Sequence, residues 1–198
     1  MILVIAAMES EMKDIILHPH PNIKIVRTGV GKVNASYVLS RELSLHSYEL
    51  IINLGLAGAT NPFCPGDFVL IKDATYHDFD LTMFGYKKGE VPGFPSPFLS
   101  DFKWLKKIEH TIQNLKIGSL YTGDRFMTEG ITDHMVFDME GAALYQVAYA
   151  YHVPMISIKV ISDIVGSTEH LTNYTHFEAN QGSQKLLEIY QQLKGVIV

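Results

Sequence analysis

The sequence contains little cysteine and little arginine, and both shortages exclude classes of protein. Its one cysteine, Cys64, cannot form an internal disulfide. Only three of the 198 residues are arginine and the net charge is −5, so the chain offers no basic surface for nucleic acid or an anionic membrane. No apolar run approaches the roughly 20 residues of a membrane span, and the N-terminus lacks the pattern of a signal peptide. We therefore expect a cytoplasmic protein that binds neither nucleic acid nor membranes.

Short apolar runs alternate with helical patterns along the chain. Apolar residues make up 47% of the sequence, so we expect residues 1–198 to form a single domain. The runs predict strands at residues 2–7, 23–28, 50–54, 116–121 and 155–161. Helices are predicted at residues 9–17, 32–43, 101–113 and 177–193, and a further predicted helix ends near Tyr151. This alternation predicts an α/β sandwich with a mainly parallel sheet.

Two acidic residues in the last third of the chain are candidates for chemistry. Asp163 follows the apolar run 155–161, and should lie at the carboxyl end of a parallel strand, where open α/β sheets bind ligands. Glu140 precedes an alanine-rich stretch that predicts a packed helix. Structural roles would also explain them: Asp163 could cap a helix or turn, and Glu140 could be a favourable charge at a helix start.

A third candidate, Glu11, comes just after the first predicted strand. A favourable position at a helix start would alone explain one of the carboxylates in residues 7–12. In a parallel sheet, however, Glu11, Gly58, Glu140 and Asp163 could all lie at the same edge. That convergence favours a functional role.

Two glycine-rich segments, residues 28–32 and 53–59, follow predicted strands. Both would let the backbone approach a ligand closely. Neither has the full glycine spacing of a dinucleotide fingerprint or the Lys-Ser/Thr ending of a phosphate loop. A tight structural turn explains each of them as well as a ligand cradle does.

Residues 69–80 predict an extended segment that places a histidine near two carboxylates. In an extended strand, His77 would face away from Asp78 and Asp80, so the three could not readily bind one ion. We therefore expect no metal site. Residues 84–98, with three prolines and three glycines, predict a loop long enough to be a lid.

Six motifs together resemble the 5′-methylthioadenosine/S-adenosylhomocysteine nucleosidases of the purine nucleoside phosphorylase superfamily. They are AMESEM (7–12), TGVGKVNA (28–35), YHDFDLTMFGY (76–86), VPGFP (91–95), DME (138–140) and ISD (161–163). They occur in order over nearly the whole chain, and residues 76–95 are the most specific to the nucleosidases. The resemblance implies a three-layer α/β sandwich around a mixed, mostly parallel sheet.

The resemblance also implies a reaction, hydrolysis of the N-glycosidic bond of a 5′-thioadenosine with release of adenine. Asp163 would be the general acid at adenine N7, which requires a pKa raised by burial. Glu11 would activate the attacking water, and Glu140 would bind the ribose hydroxyls and stabilise the oxocarbenium-like charge.

Further residues would bind the substrate by the same resemblance. Phe126 would stack on adenine, Met127 would meet the base edge through its backbone, and Met139 would pack against the ribose. The other implied substrate-binding residues are Met8, Ala57, Gly58, Asp138 and Ser162. Plain core packing is an alternative for each apolar residue.

The resemblance further implies a homodimer and no cofactor. Leu81, Phe84 and Pro92 match positions that close the 5′-thio pocket across the dimer interface.

Two departures from the family bear on activity. Lys159 stands where an arginine near the catalytic water is usual, and Leu56 stands where a serine is common. The segments before Thr28 and between Met127 and Val136 are short for the family. No aromatic cleanly matches the usual cap of the 5′ side, and Asn173 and Tyr174 are the nearest residues.

Three other functions are compatible with the same fold. A phosphorylase would need a cationic clamp for phosphate, which three arginines hardly supply. A sister hydrolase could act on another 5′-modified nucleoside, such as futalosine. A non-catalytic nucleoside-binding protein would not need Glu11, Glu140 and Asp163 together.

Overall fold

The computed structural model describes residues 1–129 and 132–197. Its strands form one sheet: β1 Ile2–Ala6, β2 Ile23–Arg27, β3 Leu50–Ala59, β4 Phe68–Tyr76, β5 Phe98–Leu99, β6 Leu115–Thr122, β7 Met135–Asp138 and β8 Met155–Ile164. Its α-helices are α1 Glu9–Met12, α2 Lys32–Leu45, α3 Phe102–Thr111, α4 Gly141–Ala150, α5 His170–Phe177 and α6 Ser183–Ile197. A π-helical stretch, Glu178–Gly182, joins α5 to α6, and short 3₁₀ turns span Ile15–Leu17 and Thr82–Phe84.

The sheet is mixed and part of it closes on itself. β3 pairs in parallel with β1 and β8 and antiparallel with β7. β4 pairs antiparallel with β8 and in parallel with β6, and β6 pairs in parallel with β7. Strands β3, β8, β4, β6 and β7 therefore form a closed ring, with β1 and β2 extending it on one side. The mostly parallel mixed sheet expected from the resemblance is confirmed.

Helices cover both faces of the sheet, which gives the three layers of the predicted sandwich. α2 and α4 pack with one set of buried strand side chains, and α3 and α6 pack with the other. The central strands are apolar along their whole length because both faces are covered. All five residues of β1, for example, are buried.

β3 is longer than predicted, and the second glycine-rich segment is part of this strand. Neighbouring side chains leave little room there for any residue larger than glycine. A Cβ on Gly55 would lie 3.0 Å from Oε1 of Glu11 and 3.2 Å from Nζ of Lys159, and one on Gly58 would lie 3.0 Å from Oδ2 of Asp163. Residues 53–59 are therefore not a tight turn, one of the two alternatives that the sequence left open; their glycines make room for the buried side chains of Glu11, Lys159 and Asp163.

Other elements differ from the sequence prediction at their ends. β8 continues through Asp163 to Ile164, β4 stops at Tyr76, and the predicted closing helix is divided among α5, the π-helical stretch and α6. β5 and β7 were not predicted, and both are short. No helix within the described ranges is long and apolar enough to cross a lipid bilayer.

Candidate active site

A cavity opens at the carboxyl ends of β1, β3 and β8, the position at which α/β sheets commonly bind ligands. Ala7, immediately after β1, is one of its lining residues. The structure also brings to it the four residues for which the sequence suggested a common edge: Glu11, Gly58, Glu140 and Asp163.

Glu11 is buried in α1, and backbone N–H groups hold its carboxylate. Oε2 accepts hydrogen bonds from the N–H groups of Ala7 (3.0 Å) and Met8 (2.9 Å), and Oε1 accepts one from Leu56 in β3 (2.8 Å). Burial raises the pKa of the Glu11 carboxyl, although the Leu56 N–H and the Lys159 ammonium act to lower it. The direction of the Glu11 side chain is thus fixed, and its pKa is raised above the ordinary value of a glutamate.

Lys159 supplies a buried positive charge among these carboxylates. Its Nζ lies 2.8 Å from Oδ2 of Asp138, and both side chains are almost fully buried. Asp138 also accepts hydrogen bonds from the Thr122 hydroxyl (2.6 Å) and the N–H of Gly141 (2.9 Å) at the start of α4. Burial disfavours the ammonium, but Asp138 and Glu140 outweigh it and raise the pKa of Lys159. Lys159 is therefore charged at neutral pH.

Glu140 precedes α4 and is held by the first glycine-rich turn. Its Oε1 accepts a hydrogen bond from the N–H of Gly31 (2.8 Å), and Gly31 has a φ of 91°, a conformation that favours glycine. Burial, together with the charge of Asp138, raises the pKa of the Glu140 carboxyl to about 7, even though Lys159 acts to lower it. The glycine turn at residues 28–32 therefore orients an acidic side chain of the cavity.

Asp163 is almost fully buried near the end of β8. The Ser162 hydroxyl lies 2.6 Å from Oδ1 of Asp163 and 3.1 Å from the carbonyl oxygen of Ala57. Oδ2 has no hydrogen-bond partner within residues 1–129 and 132–197. Burial raises the pKa of the Asp163 carboxyl, although Ser162 and His170 act to lower it. The protein thus holds Oδ1 by a hydrogen bond, whereas the buried Oδ2 has none from the described residues.

Apolar and aromatic side chains complete the cavity wall. Phe126 lies parallel to the buried ring of His170, with centroids 5.2 Å apart and an interplanar angle of 9°. Tyr174 meets Phe126 edge-on at 5.4 Å. The other apolar lining residues are Met8, Val30, Leu56, Ala57, Met127, Phe137, Met139 and Val165. Such a wall suits a flat, largely apolar group such as a purine.

The predicted substrate-binding residues fall into two groups. Those that line the cavity are Met8, Ala57, Gly58, Phe126, Met127, Asp138 and Met139. Ser162 is outside the lining, and its hydroxyl lies 2.6 Å from Oδ1 of Asp163. Leu81, Phe84 and Pro92 are outside the lining of the cavity formed by this chain, and Phe84 is 77% exposed.

Sequence reasoning gave no role to five residues of the lining: Ala7, Val30, Arg125, Phe137 and Val165. Arg125 and Phe137 each adjoin a residue that was predicted, and Arg125 is one of only three arginines. Val30 and Val165 carry no signal in the sequence, because any buried apolar residue would look the same. Tyr174, named only as the nearest aromatic, does line the cavity.

The histidine and carboxylates at residues 77–80 lie beyond the end of β4 rather than in an extended strand. Asp78 instead pairs with Lys32 at 2.6 Å. In the parts of the chain that the structure describes, no group of three or more His, Cys, Asp or Glu side chains could hold a metal ion.

Relatives match almost all of this chain. The family model of the phosphorylase superfamily matches residues 17–193. The 5′-methylthioadenosine/S-adenosylhomocysteine nucleosidase of Staphylococcus haemolyticus is 32% identical over 182 residues, which cover 84% of this chain and 79% of the relative. That of Bacillus subtilis is 31% identical over 163 residues, which cover 75% and 71%. The chain belongs to this nucleosidase family.

Solved structures of the nucleosidase family have the same fold. The enzyme from Streptococcus pneumoniae, with the transition-state inhibitor MT-ImmA, superimposes with a TM-score of 0.86 at 26% identity, covering 97% of this chain and 99% of that one. The enzyme from Colwellia psychrerythraea, in complex with adenine, gives a TM-score of 0.83 at 27% identity, covering 100% and 97%. The α/β fold expected from the sequence is thereby confirmed.

Proposed function

We propose that this member of the nucleosidase family hydrolyses the N-glycosidic bond of 5′-methylthioadenosine and S-adenosylhomocysteine. The products would be adenine and the corresponding 5-thioribose. One observation carries the proposal: three buried carboxyl groups, those of Glu11, Glu140 and Asp163, line one cavity, and burial raises the pKa of each. The adenine and the transition-state inhibitor bound by its relatives support the substrate class.

Asp163 is the proposed general acid. A general acid must carry a proton near neutral pH, and the raised pKa of this carboxyl favours that state. Ser162 lies against Oδ1, which leaves Oδ2 for the base. Transfer of the proton to N7 would let adenine leave as the bond between C1′ and N9 breaks.

Glu11 is the proposed general base. As the glycosidic bond breaks, a water molecule would attack C1′ and give one proton to Glu11, while its oxygen stays on the sugar. Three backbone N–H groups fix the carboxylate of Glu11, so that its remaining lone pair, on Oε1, is directed before the water arrives. Proton release from Glu11 and proton uptake by Asp163 then restore the site.

Glu140 and Met139 are the proposed ribose-binding residues. Glu140 accepts the Gly31 N–H and is influenced by the Lys159 charge, and an ionised carboxylate there would stabilise positive charge on the sugar ring. The binding of ribose hydroxyls to Glu140 would favour its ionised form, because hydroxyl donors stabilise a carboxylate.

Phe126 and Met127 are the proposed base-binding residues. Phe126 offers one ring face for stacking, and aromatic stacking of a base is worth about 1–3 kcal/mol. Met127 follows it in the chain and would meet the base edge through its backbone.

Adenine release tests the proposed reaction. The purified protein is incubated with 5′-methylthioadenosine and, separately, with S-adenosylhomocysteine, each with and without inorganic phosphate. Release without phosphate from either substrate is the expected result, and competition with futalosine ranks that alternative nucleoside. No release from either substrate would refute the proposal.

Phosphate dependence would instead indicate a phosphorylase. The position of Arg27 speaks against that reaction, because its guanidinium pairs with Glu9 at 3.1 Å, where both side chains are mostly exposed. Arg125 is the one arginine among the described residues of the lining. A phosphate dianion usually needs more than one such cation.

The proposed assembly is a homodimer. Val33, Tyr37 and Phe84 are large apolar side chains on α2 and the loop after β4, and each is well over half exposed. An ion pair between Lys32 and Asp78 joins these two segments. Phe84→Asp is expected to give a monomer by sedimentation and to raise KM for 5′-methylthioadenosine. A wild-type monomer would refute the dimer.

The chain is further proposed to act in the cytoplasm, as one domain and without a cofactor. Cys64 is a free and exposed thiol, which suits a reducing compartment. Cell fractionation would test the location.

A further inference from the structure

A buried histidine lies behind the aromatic wall of the cavity. His170 is the first residue of α5 and is only 7% exposed. Its imidazole lies parallel to the ring of Phe126, with an interplanar angle of 9°. Phe126 lines the cavity, whereas His170 is not among the lining residues. The two rings therefore form a stack in which Phe126 is on the cavity side.

Helix α5 holds Phe126 from two directions. Tyr174 follows His170 by one helical turn, so that both side chains are on the same face of the helix. Tyr174 contacts the edge of the Phe126 ring, while His170 contacts its flat side. Since Phe126 itself is 39% exposed, these two contacts from α5 define much of its position.

The contribution of His170 comes from its ring rather than from a hydrogen bond at Nε2. That nitrogen is buried and has no hydrogen-bond partner among the described residues. A buried histidine kept for hydrogen bonding would have its nitrogens paired. An apolar ring of similar shape should therefore replace the contact with Phe126 without the loss of a hydrogen bond at Nε2.

We propose that His170 is a positioning residue of the base site, which holds the Phe126 ring flat against the place of the purine. The identity of the purine rests on the proposed nucleosidase function, but the stack of His170 on Phe126 does not. From the usual strength of an aromatic pair, loss of the stack should weaken base binding by about 2- to 10-fold.

Two variants isolate the ring of His170. His170→Phe keeps a flat ring and His170→Ala removes it. Both lack the imidazole that also acts on the Asp163 carboxyl, so a difference between them comes from the ring. The affinity for adenine is measured by calorimetry, and the Phe126 signals are followed by NMR with ring-labelled phenylalanine, assigned with Phe126→Ala.

The Ala variant is expected to bind adenine about 2- to 10-fold more weakly and to show shifted or broadened Phe126 signals, while the Phe variant stays within about 2-fold of wild type. In a Phe126→Ala background, His170→Ala and His170→Phe should have equal adenine affinities, because the partner ring is gone. If His170→Ala instead weakened adenine binding through a general loss of folding, it would still bind more weakly than His170→Phe in that background.

Two results would overturn the proposal. One is a His170→Ala protein with wild-type Phe126 signals and wild-type adenine affinity. The other is a His170→Phe protein as weak as the Ala variant. If the wild-type protein neither binds nor releases adenine, the proposed function fails, and the Phe126 signals alone then decide the role of His170.

Discussion

At the scale of single residues, Asp163 and Lys159 differ in what a substitution should remove. Asp163 is proposed to give a proton, whereas Lys159 compensates charge. Both are buried in β8, four residues apart. The measurements that separate them are therefore turnover for the first and stability for the second.

Asp163→Asn keeps the size of the side chain and removes its acidic proton. Since positioned proton transfer typically contributes about 10²- to 10⁴-fold in rate, kcat should fall by about that factor. The dissociation constant of a transition-state inhibitor and the kcat for 5′-methylthioadenosine are measured side by side. Retained binding with near-normal turnover would exclude Asp163 as the acid.

Lys159→Met should destabilise the fold, because it leaves Asp138 buried without its ion-pair partner. Removal of one member of a buried pair typically costs about 3–5 kcal/mol. Lys159→Arg is the matched control, since it keeps the charge and supplies the arginine that is usual in the family. Urea unfolding compares the two, and equal free energies of unfolding would show that the charge is not what matters.

At the scale of elements, β3 is the strand whose glycines define the site. Gly55→Ala should lower kcat at least about 10-fold, because its Cβ would displace Glu11 or Lys159 by tenths of an ångström. It should also cost about 1–3 kcal/mol of stability. Gly195→Ala in α6 is the control, since its Cβ meets no atom within 4 Å and alanine favours a helix. Wild-type kinetics for Gly55→Ala would contradict this account of β3.

The elements also show what a sequence can predict. Strands β1, β2 and β6 were predicted nearly to their ends, because a buried strand is a short apolar run between polar turns. β5 and β7 were missed because two to four residues carry no period of their own. The glycines of β3 looked like a turn, since the side chains that require them come from α1 and β8, far away in the sequence.

The same limit applies to the site. Glu11 follows β1 and Asp163 lies near the end of β8; both strands pair in parallel with β3, and a parallel sheet brings such positions together. Glu140 follows β7, which pairs antiparallel with β3, so that rule does not account for its place in the cavity. The pairing of Lys159 with Asp138 joins residues of two different strands, and no spacing in the sequence indicates it. The stack of Phe126 on His170 is invisible in the sequence for the same reason.

At the scale of the whole molecule, the raised pKa of Glu140 makes stability depend on pH. This carboxyl has an ordinary pKa of 4.5 and one of about 7 in the folded chain, so the folded state binds the proton more tightly. Its stabilising contribution is full below about pH 4.5 and is lost as the pH rises through about 7.

Glu140→Gln should remove that dependence. Scanning calorimetry measures the Tm of both proteins between about pH 4.5 and about pH 7. The Tm of the wild type minus that of the variant should be smallest at the alkaline end of this range. Glu11 and Asp163 also have raised pKa values, but both proteins contain these residues, so the difference in Tm reports mainly on Glu140 and the charges beside it. A difference in Tm that does not change with pH would contradict the raised pKa.

The closed ring of strands has a consequence for where the molecule can open. Ser157, Ile158, Lys159 and Val160 of β8 pair with β3 on one side and β4 on the other, so their amides can exchange hydrogen only when the ring itself opens. The amides beside Lys159 should therefore exchange with deuterium as slowly as global unfolding allows.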